Sequence, residues 1–447
     1  MSRILFLIIL LGAAWLAFKG YSKVYRNVRM GRIGSVEETA HAGGLRKMIL
    51  IALGQKKMFA RPIPAFLHLF IYVAFIFTQF DLIEQIIDGL VGTHRILHGV
   101  FGSFYSVMVS FIELLSILAF IGTIAFLARR NILRVPRLAS KELAGWPKLD
   151  ANLILLGEIL LITGIFTMNG SDQVLHLNWP EKYARPGFFL FSNGLGPLFF
   201  GHMSETGLEI ARQFGWWLHV LVVLSFLVYL PYSKHLHILL AFPNTYFSPD
   251  KSRGIMVNMP EIEHEVKSML GIEIAGAKVE MSPDMQFGAA DVFHLTRHNL
   301  LSAYTCTECG RCTSVCPAHI SGKKLSPRKV MMDVRDRMEE IRSNIEADPA
   351  QFTGKENTGN QYGYSDNKNL FDYTTKEEIN ACTTCNACVE ACPVLIDPLD
   401  IILQLRRYEI LSESAGPPDW NPMFTNLENS GSPWQMTIAR DEWTAGV

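Results

Sequence analysis

Five stretches of this chain, Ile4–Tyr21, Pro64–Ile87, Ser103–Leu127, Ala151–Met168 and Phe214–Ala241, are each long and apolar enough to cross a bilayer. Hydrocarbon offers no partner to a backbone N–H or C=O, so every such group must be satisfied within its own segment. Five spans therefore dictate a bundle of α-helices. They occupy the first 245 of 447 residues and help raise the hydrophobic share to 49%, while the net charge is only −1. No global basic field points to nucleic acid. The first stretch follows Met1-Ser2-Arg3 as a signal peptide would, but it lacks a small-x-small cleavage site and carries its basic flank after it.

Lys and Arg crowd two of the four connections. Lys19, Lys23, Arg26, Arg29, Arg32, Arg46, Lys47, Lys56, Lys57 and Arg61 separate the first two spans, and Arg129, Arg130, Arg134, Arg137, Lys141 and Lys148 separate the third and fourth. The other two hold only Arg95, and Lys182, Arg185 and Arg212. The positive-inside rule then puts the N-terminus outside and everything beyond the fifth span in the cytoplasm. The expected location is a bacterial inner membrane, crossed five times. The connection from Asn169 to Gln213, with Phe188-Phe189-Leu190-Phe191 and Leu198-Phe199-Phe200, is apolar enough to lie in the membrane interface.

All eight cysteines fall in the last third, in two runs of one pattern: Cys306-x-x-Cys309-x-x-Cys312-x-x-x-Cys316-Pro317 and Cys382-x-x-Cys385-x-x-Cys388-x-x-x-Cys392-Pro393. In this spacing three thiolates hold three irons of one [4Fe–4S] cube, and the fourth cysteine, turned away by its proline, reaches the other cube. Cys306, Cys309, Cys312 and Cys392 are thus expected on one cluster, and Cys382, Cys385, Cys388 and Cys316 on the other. Zinc would need four ligands per site and has no use for a third cysteine followed by Cys-Pro. Disulfides suit neither the spacing nor a cytoplasmic domain. The runs are 65 residues apart. Between them Ser326–Glu346 reads as a helix, with Met331, Met332, Val334, Met338 and Ile341 on one face, and Gln351–Asn369 as a loop.

The expected fold is all-α: a membrane bundle over 1–245, a linker over 246–295, a cytoplasmic α-helical two-cluster ferredoxin domain over 296–412, and a C-terminal tail over 413–447 for partner contact.

An ionisable residue inside a span is a functional hypothesis. His68 lies one to two turns into the second span; His219 lies near the outer end of the fifth, and His235 and His237 near its cytoplasmic end. In a regular helix His219 and His237 share a face about 27 Å apart, with His235 nearly opposite, unless Pro231 spoils the phase. By depth His68 and His237 can meet on the cytoplasmic side with a b-type haem between them. Each histidine alone could equally hydrogen-bond within the bundle. Gln79, Glu113 and Glu158 are further polar residues of the spans and candidates for a quinone site, the two acids for quinone protonation or for internal hydrogen bonding.

The fifth span, Trp216-Trp217-x-His219 through Leu230-Pro231-Tyr232-Ser233-Lys234-x-x-His237, resembles the cytochrome b (gamma) subunit of respiratory nitrate reductase. That resemblance implies a five-helix cytochrome b-like bundle in which His68, His219 and His237 match three of four haem-ligand positions. The fourth falls on Thr78, beside Gln79, so His219 needs another partner; His98 and His94 are the nearby candidates, or else His219 serves a quinone site. One haem b is therefore implied, and a second is left open.

The whole chain, through Tyr304-Thr305-Cys306-Thr307-Glu308-Cys309-Gly310-Arg311-Cys312 and Asn426-Leu427-Glu428-Asn429-x-Gly431-x-Pro433-Trp434, is similar to membrane iron–sulfur oxidoreductases related to heterodisulfide reductase, including those that pass electrons from electron-transfer flavoprotein to menaquinone. In fused relatives the tail leads into a Cys-Cys-Gly domain. No cysteine is left for one here, so the resemblance implies a split form with a separate cytoplasmic Cys-Cys-Gly iron–sulfur protein as partner, near Trp420 and Trp434. The implied function is electron transfer between that partner, or electron-transfer flavoprotein through it, and menaquinone. Quinol oxidation feeding a heterodisulfide-type reductase would use the same wiring, and a haem-free membrane anchor for a soluble reductase is the non-enzymatic alternative. A proton pump employing Glu113 and Glu158 is a further possibility.

Overall fold

The computed structural model describes residues 3–34, 43–250, 255–272, 286–348, 364–434 and 442–444. Among them five helices are long and apolar enough to cross a membrane: α1 (Arg3–Val28), α2 (Pro62–Val91), α3 (Ser103–Asn131), α4 (Trp146–Asn178) and the span Glu205–Tyr232. A short helix, α5 (Ser192–Phe200), lies between the last two, and the regular part of the fifth span is α6 (Glu205–Tyr229). No strand forms among the described residues; Arg32 and Thr296 make an isolated bridge.

Close packing of α4 against α6 depends on small residues. A Cβ on Gly215 would lie 2.6 Å from the Met168 backbone nitrogen and 2.7 Å from the Gly164 carbonyl oxygen, so only glycine admits this approach. Large apolar side chains such as Ile63, Val107 and Phe214 point outward, exposed as a lipid-facing surface is.

The fifth span differs from the expected run to Ala241. Pro231 lacks an N–H and its ring clashes with a continuing helix. The chain passes through two 3₁₀ turns, Leu230–Tyr232 and Lys234–Leu236, and restarts as α7 (His237–Tyr246). His219 and His237 therefore do not belong to one regular helix.

The iron–sulfur domain is built on α8 (Arg297–Thr305), α9 (Pro327–Ala347) and α10 (Pro398–Arg407). The helix expected between the cysteine runs is α9. Ser326 caps it by accepting from Lys329 N, and Met331, Met332, Val334, Met338 and Ile341, the expected face, are buried. Of the expected loop after it, residues 351–363 lie outside the described residues. Arg337 of α9 ties the domain together: it donates to Asp291 on the entering segment and to both Asp366 oxygens ahead of the second run.

Two expected boundaries shift. Ala289, Val292, Phe293 and Leu295, placed in the linker by sequence, are core residues of this domain. The same core takes in Val24 and Met30 from the end of α1. Asn27 donates to Tyr304 Oη (2.7 Å) and accepts from Arg342 (2.8 Å), and Lys23 pairs with Glu339 (2.5 Å). The first helix thus outruns its apolar stretch by two turns and becomes a strut of the iron–sulfur domain.

Candidate redox site

The two cysteine runs share one backbone device. Glu308 and Gly310 in the first run have φ of 55° and 68°; Thr384 and Asn386, at the equivalent places in the second, have 54° and 60°. Left-handed turns at these points cost non-glycine residues free energy and persist where the surroundings require them. At Gly310 a Cβ would sit 2.5 Å from the Arg328 guanidinium, so glycine is also needed for space.

Cys306, Cys316 and Cys388 are buried, Cys385 is exposed, and the rest are intermediate. Cys392 stands in electrostatic contact with Cys306, Cys309 and Cys312, whereas Cys316 acts on Cys382 and Cys388. Burial pushes the Cys306 and Cys388 thiols up to about 12 and Cys392 up to about 11. Without metal these thiols hold their protons, so loading iron must release them. Among the described residues no three His, Cys, Asp or Glu side chains converge closely enough to hold one metal ion. The peptide N–H of Thr384 donates to Cys382 Sγ (3.4 Å) and that of Ile396 to Cys392 Sγ (3.3 Å).

The first run is seated on one end of the bundle. Arg137 donates to the Cys309 carbonyl, Arg61 to Ser314 (2.7 Å), and Arg311 to the Met58 carbonyl (3.3 Å). Glu308 is buried between Lys234 and Arg335 (2.8 Å). Beside this junction stand His68 and His237, their ring centroids 6.4 Å apart and their planes at 44°. His68 Nδ1 meets Gln55 Oε1 at 3.2 Å, and His237 Nδ1 donates to the Lys234 carbonyl at 3.0 Å. Each ring is held through Nδ1, so Nε2 is the atom that would face a metal. Two imidazoles bonded to one iron, at about 2 Å per bond, place their centroids about 6 Å apart. The Nη1 atoms of Arg129 and Arg130 are buried without a hydrogen-bond partner among the described residues. The residues fit a b haem. His235, expected on the opposite face, lies with its ring 5.8 Å from that of His237, because the 3₁₀ turns after Pro231 replace the helical phase.

His219 is brought to neither His98 nor His94. Its Nδ1 meets Gln85 Oε1 at 2.9 Å. His98 packs edge-on to Tyr105 (5.4 Å) and His94 bonds Asp172 (2.9 Å). Thr78, at the position that the resemblance gives to a fourth haem ligand, and Gln79 both donate to the Phe75 carbonyl of their own helix.

A cavity of ≈ 260 Å³ opens inside the bundle, with Thr78, Gln79, Ser116, Glu158, His219 and His235 in its otherwise apolar wall. Ser116 Oγ and His235 Nδ1 are buried there without a hydrogen-bond partner among the described residues. Of the three acid and amide candidates, Gln79 and Glu158 line it. Glu113 does not: it accepts from Asn169 (3.0 Å), from the Phe191 and Ser192 backbone (2.8 and 3.1 Å) and from the Ser192 hydroxyl, which makes it the cap of α5.

Sequence reasoning passed over a buried polar face of α2. Asp81, Glu84, Gln85 and Asp88 recur at i, i+3, i+4 and i+7, each no more than 3% exposed. That spacing inside an apolar span was the available signal.

Residues 305–396 match the 4Fe-4S dicluster domain family. This part of the chain binds [4Fe–4S] clusters. Among curated proteins the chain is 30% identical over 413 residues to the probable iron-sulfur-binding oxidoreductase FadF of Bacillus subtilis (strain 168), covering 87% of this chain and 53% of the relative. It is 24% identical over 442 residues to the EtfAB:quinone oxidoreductase of Syntrophomonas wolfei subsp. wolfei, covering 94% and 54%. A probable membrane-anchored ferredoxin of Chromohalobacter salexigens is 32% identical over 158 residues, 34% of this chain and 23% of the relative. The chain spans about half the length of the first two. No solved structure matches it. With five membrane-length helices and this kinship, it is a membrane protein related to iron–sulfur oxidoreductases of electron transfer.

Proposed function

We propose that this chain is a respiratory electron-transfer subunit linking a cytoplasmic donor to menaquinone. One-electron chemistry would be supplied by two [4Fe–4S] clusters and a b haem. Cys306, Cys309, Cys312 and Cys392 would hold one cluster, and Cys382, Cys385, Cys388 and Cys316 the other. His68 and His237 would hold the haem, oriented by Gln55 and by the Lys234 carbonyl. Cys385 is exposed and the first run lies against the bundle, which supports electron entry through the second run. The observation that carries the reading is the His68–His237 pair, spaced for one shared iron at the end of the bundle where the first cysteine run docks.

The cavity supplies what a quinone needs: an apolar wall for its rings, with Glu158 and His219 to hold protons at its oxygens. The name of the Syntrophomonas relative supports electron-transfer flavoprotein as the donor and quinone as the acceptor. A Cys-Cys-Gly iron–sulfur protein is the proposed intermediary, seated against α11 (Trp420–Ser430), which buries none of its residues, and against Trp434, which is 74% exposed. The proposed location is the bacterial inner membrane, with the N-terminus outside and the iron–sulfur domain in the cytoplasm.

The test is anaerobic purification in mild detergent, followed by reduction through the iron–sulfur domain and addition of a menaquinone analogue. A haem band that appears on reduction and disappears on quinone addition supports the function; a haem-free protein inert to quinone refutes it.

A further inference from the structure

The residues that seat the first cysteine run also surround it with positive charge. Arg61 stands at the start of α2, Arg129 near the end of α3 and Arg137 in the segment after it, while Arg311 belongs to the run itself. Arg137 donates to the Cys309 carbonyl, Arg61 to Ser314 Oγ (2.7 Å), and Ser314 in turn to the Arg311 carbonyl (2.8 Å). Arg311 is 4% exposed and reaches the Lys57 and Met58 carbonyls, each at 3.3 Å. Arg137 and Arg311 both act electrostatically on Cys309, and each also feels Arg61 and Arg129. Other arginines of this junction are neutralised, Arg328 by Glu142 (2.6 Å) and Arg335 by Glu308 (2.8 Å). Among the described residues Arg61, Arg129, Arg137 and Arg311 form no such pair. A guanidinium does not release its proton, so like charges are gathered here that repel one another unless an anion stands among them.

The second run is differently placed. Arg406 donates to the Cys382 and Asn380 carbonyls (2.6 and 3.0 Å), but the Asp397 carboxylate acts on Cys388, and Glu390 lies within the run, 3.8 Å from Lys57. Cys385 is exposed, so water and salt screen charge at that end. A cubane held by thiolates becomes more negative with each electron it takes, and its potential follows the net charge, hydrogen bonds and solvent around it. Burial makes that added charge costlier and by itself lowers the potential of the first-run cluster. The arginines oppose this. They are partly desolvated and act through a medium that screens less than water does, so the set as a whole decides the sign.

We propose that Arg61, Arg129, Arg137 and Arg311 hold the first-run cluster at a higher reduction potential than the second-run cluster. This rests on the cysteine assignment proposed above, and on neither the haem nor the quinone. One electron then leaves the second-run cluster as one enters the first, with no proton moved, and equilibrium favours the electron at the membrane end. Three of these arginines come from the bundle, among the basic residues that the positive-inside rule gathers on this side. The order of the two potentials is therefore set by the seating of the iron–sulfur domain on the bundle, not by the ferredoxin fold alone.

The test is a potentiometric titration of the purified whole protein, read by EPR of the reduced clusters. Cys309→Ser and Cys385→Ser assign the two signals, because each removes a ligand of its own run whichever way the fourth cysteines cross. The expected result is two one-electron transitions, with the first-run cluster reduced first. Arg311→Gln and Arg137→Gln should each lower the reduced-to-oxidised ratio of that cluster by about tenfold at a fixed potential and leave the second-run cluster where it was. Arg311→Lys, which keeps the charge, should recover most of the loss. A wild type whose second-run cluster is reduced first, or together with the other, overturns the proposal, as do loaded Arg→Gln variants with both potentials unmoved. A wild type that shows only one cluster signal, or neither, overturns the cysteine assignment instead. The wild-type titration needs no arginine variant, so a misfolded one cannot rescue the proposal.

Discussion

The imidazoles of His68 and His237 stand with centroids 6.4 Å apart, and each is fixed through Nδ1 by a different element, Gln55 before α2 and the Lys234 carbonyl in the 3₁₀ turn after Pro231. That turn is what carries His237 across to α2, so the break in the fifth span belongs to the site.

His68→Ala or His237→Ala should each abolish the haem absorbance, since either removes one of the two imidazoles that would hold the haem. His235→Ala should retain the haem, because His235 lines the cavity and its neighbour supplies the bond. Spectra of the three purified variants check this; haem loss in His235→Ala with retention in His237→Ala would contradict the assignment.

Cys316→Ser should damage the cluster held mainly by the second run, through the crossed fourth ligand. The protein should carry about eight cluster irons, and EPR of the variant should show loss of that signal first. Loss confined to the first-run cluster would disprove the crossing.

Arg337 is 1% exposed, and its removal strands Asp291 and Asp366. Arg337→Met should destabilise the iron–sulfur domain by roughly 3–5 kcal/mol, the cost of breaking a buried ion pair. Burial raises the Asp366 carboxyl, but the Arg337 bonds outweigh it and hold the group at about 2, below its ordinary 3.8. A depressed carboxylate stabilises the fold above its unfolded value and loses that contribution as pH falls through the folded one. The stability gap between wild type and Asp366→Asn should therefore close between pH 3.8 and about 2. Chemical denaturation across that range measures it, and a gap independent of pH would show that Asp366 is not held by Arg337.

Trp434→Ala combined with Phe424→Ala should reduce co-purification of a cytoplasmic iron–sulfur partner without altering the cluster spectra of this chain. Phe424 is 47% exposed and Trp434 74%. Exposed aromatic side chains are common interface anchors. Mass spectrometry after gentle-detergent purification decides it: undiminished partner recovery would place the contact elsewhere.

The spans and cysteine runs were legible because each follows from a strong local constraint, backbone satisfaction in hydrocarbon and ligand spacing. Ser326 and the apolar face after it likewise announced α9. The geometry around Pro231 was not legible, since a proline says where a helix stops but not where the chain goes next. Nor was the partner of His219: Gln85 sits on another helix, and only packing brings the two together. Glu113 looked like a proton-handling group from depth alone, whereas the fold uses it to cap α5.

The most direct measurement of the central claim follows haem absorbance while reductant enters through the iron–sulfur domain and a menaquinone analogue is then added. The account predicts a haem that is reduced, then reoxidised by the quinone, and that is missing from His68→Ala. A wild-type protein that reduces quinone with no haem, or a haem that quinone leaves reduced, would contradict it.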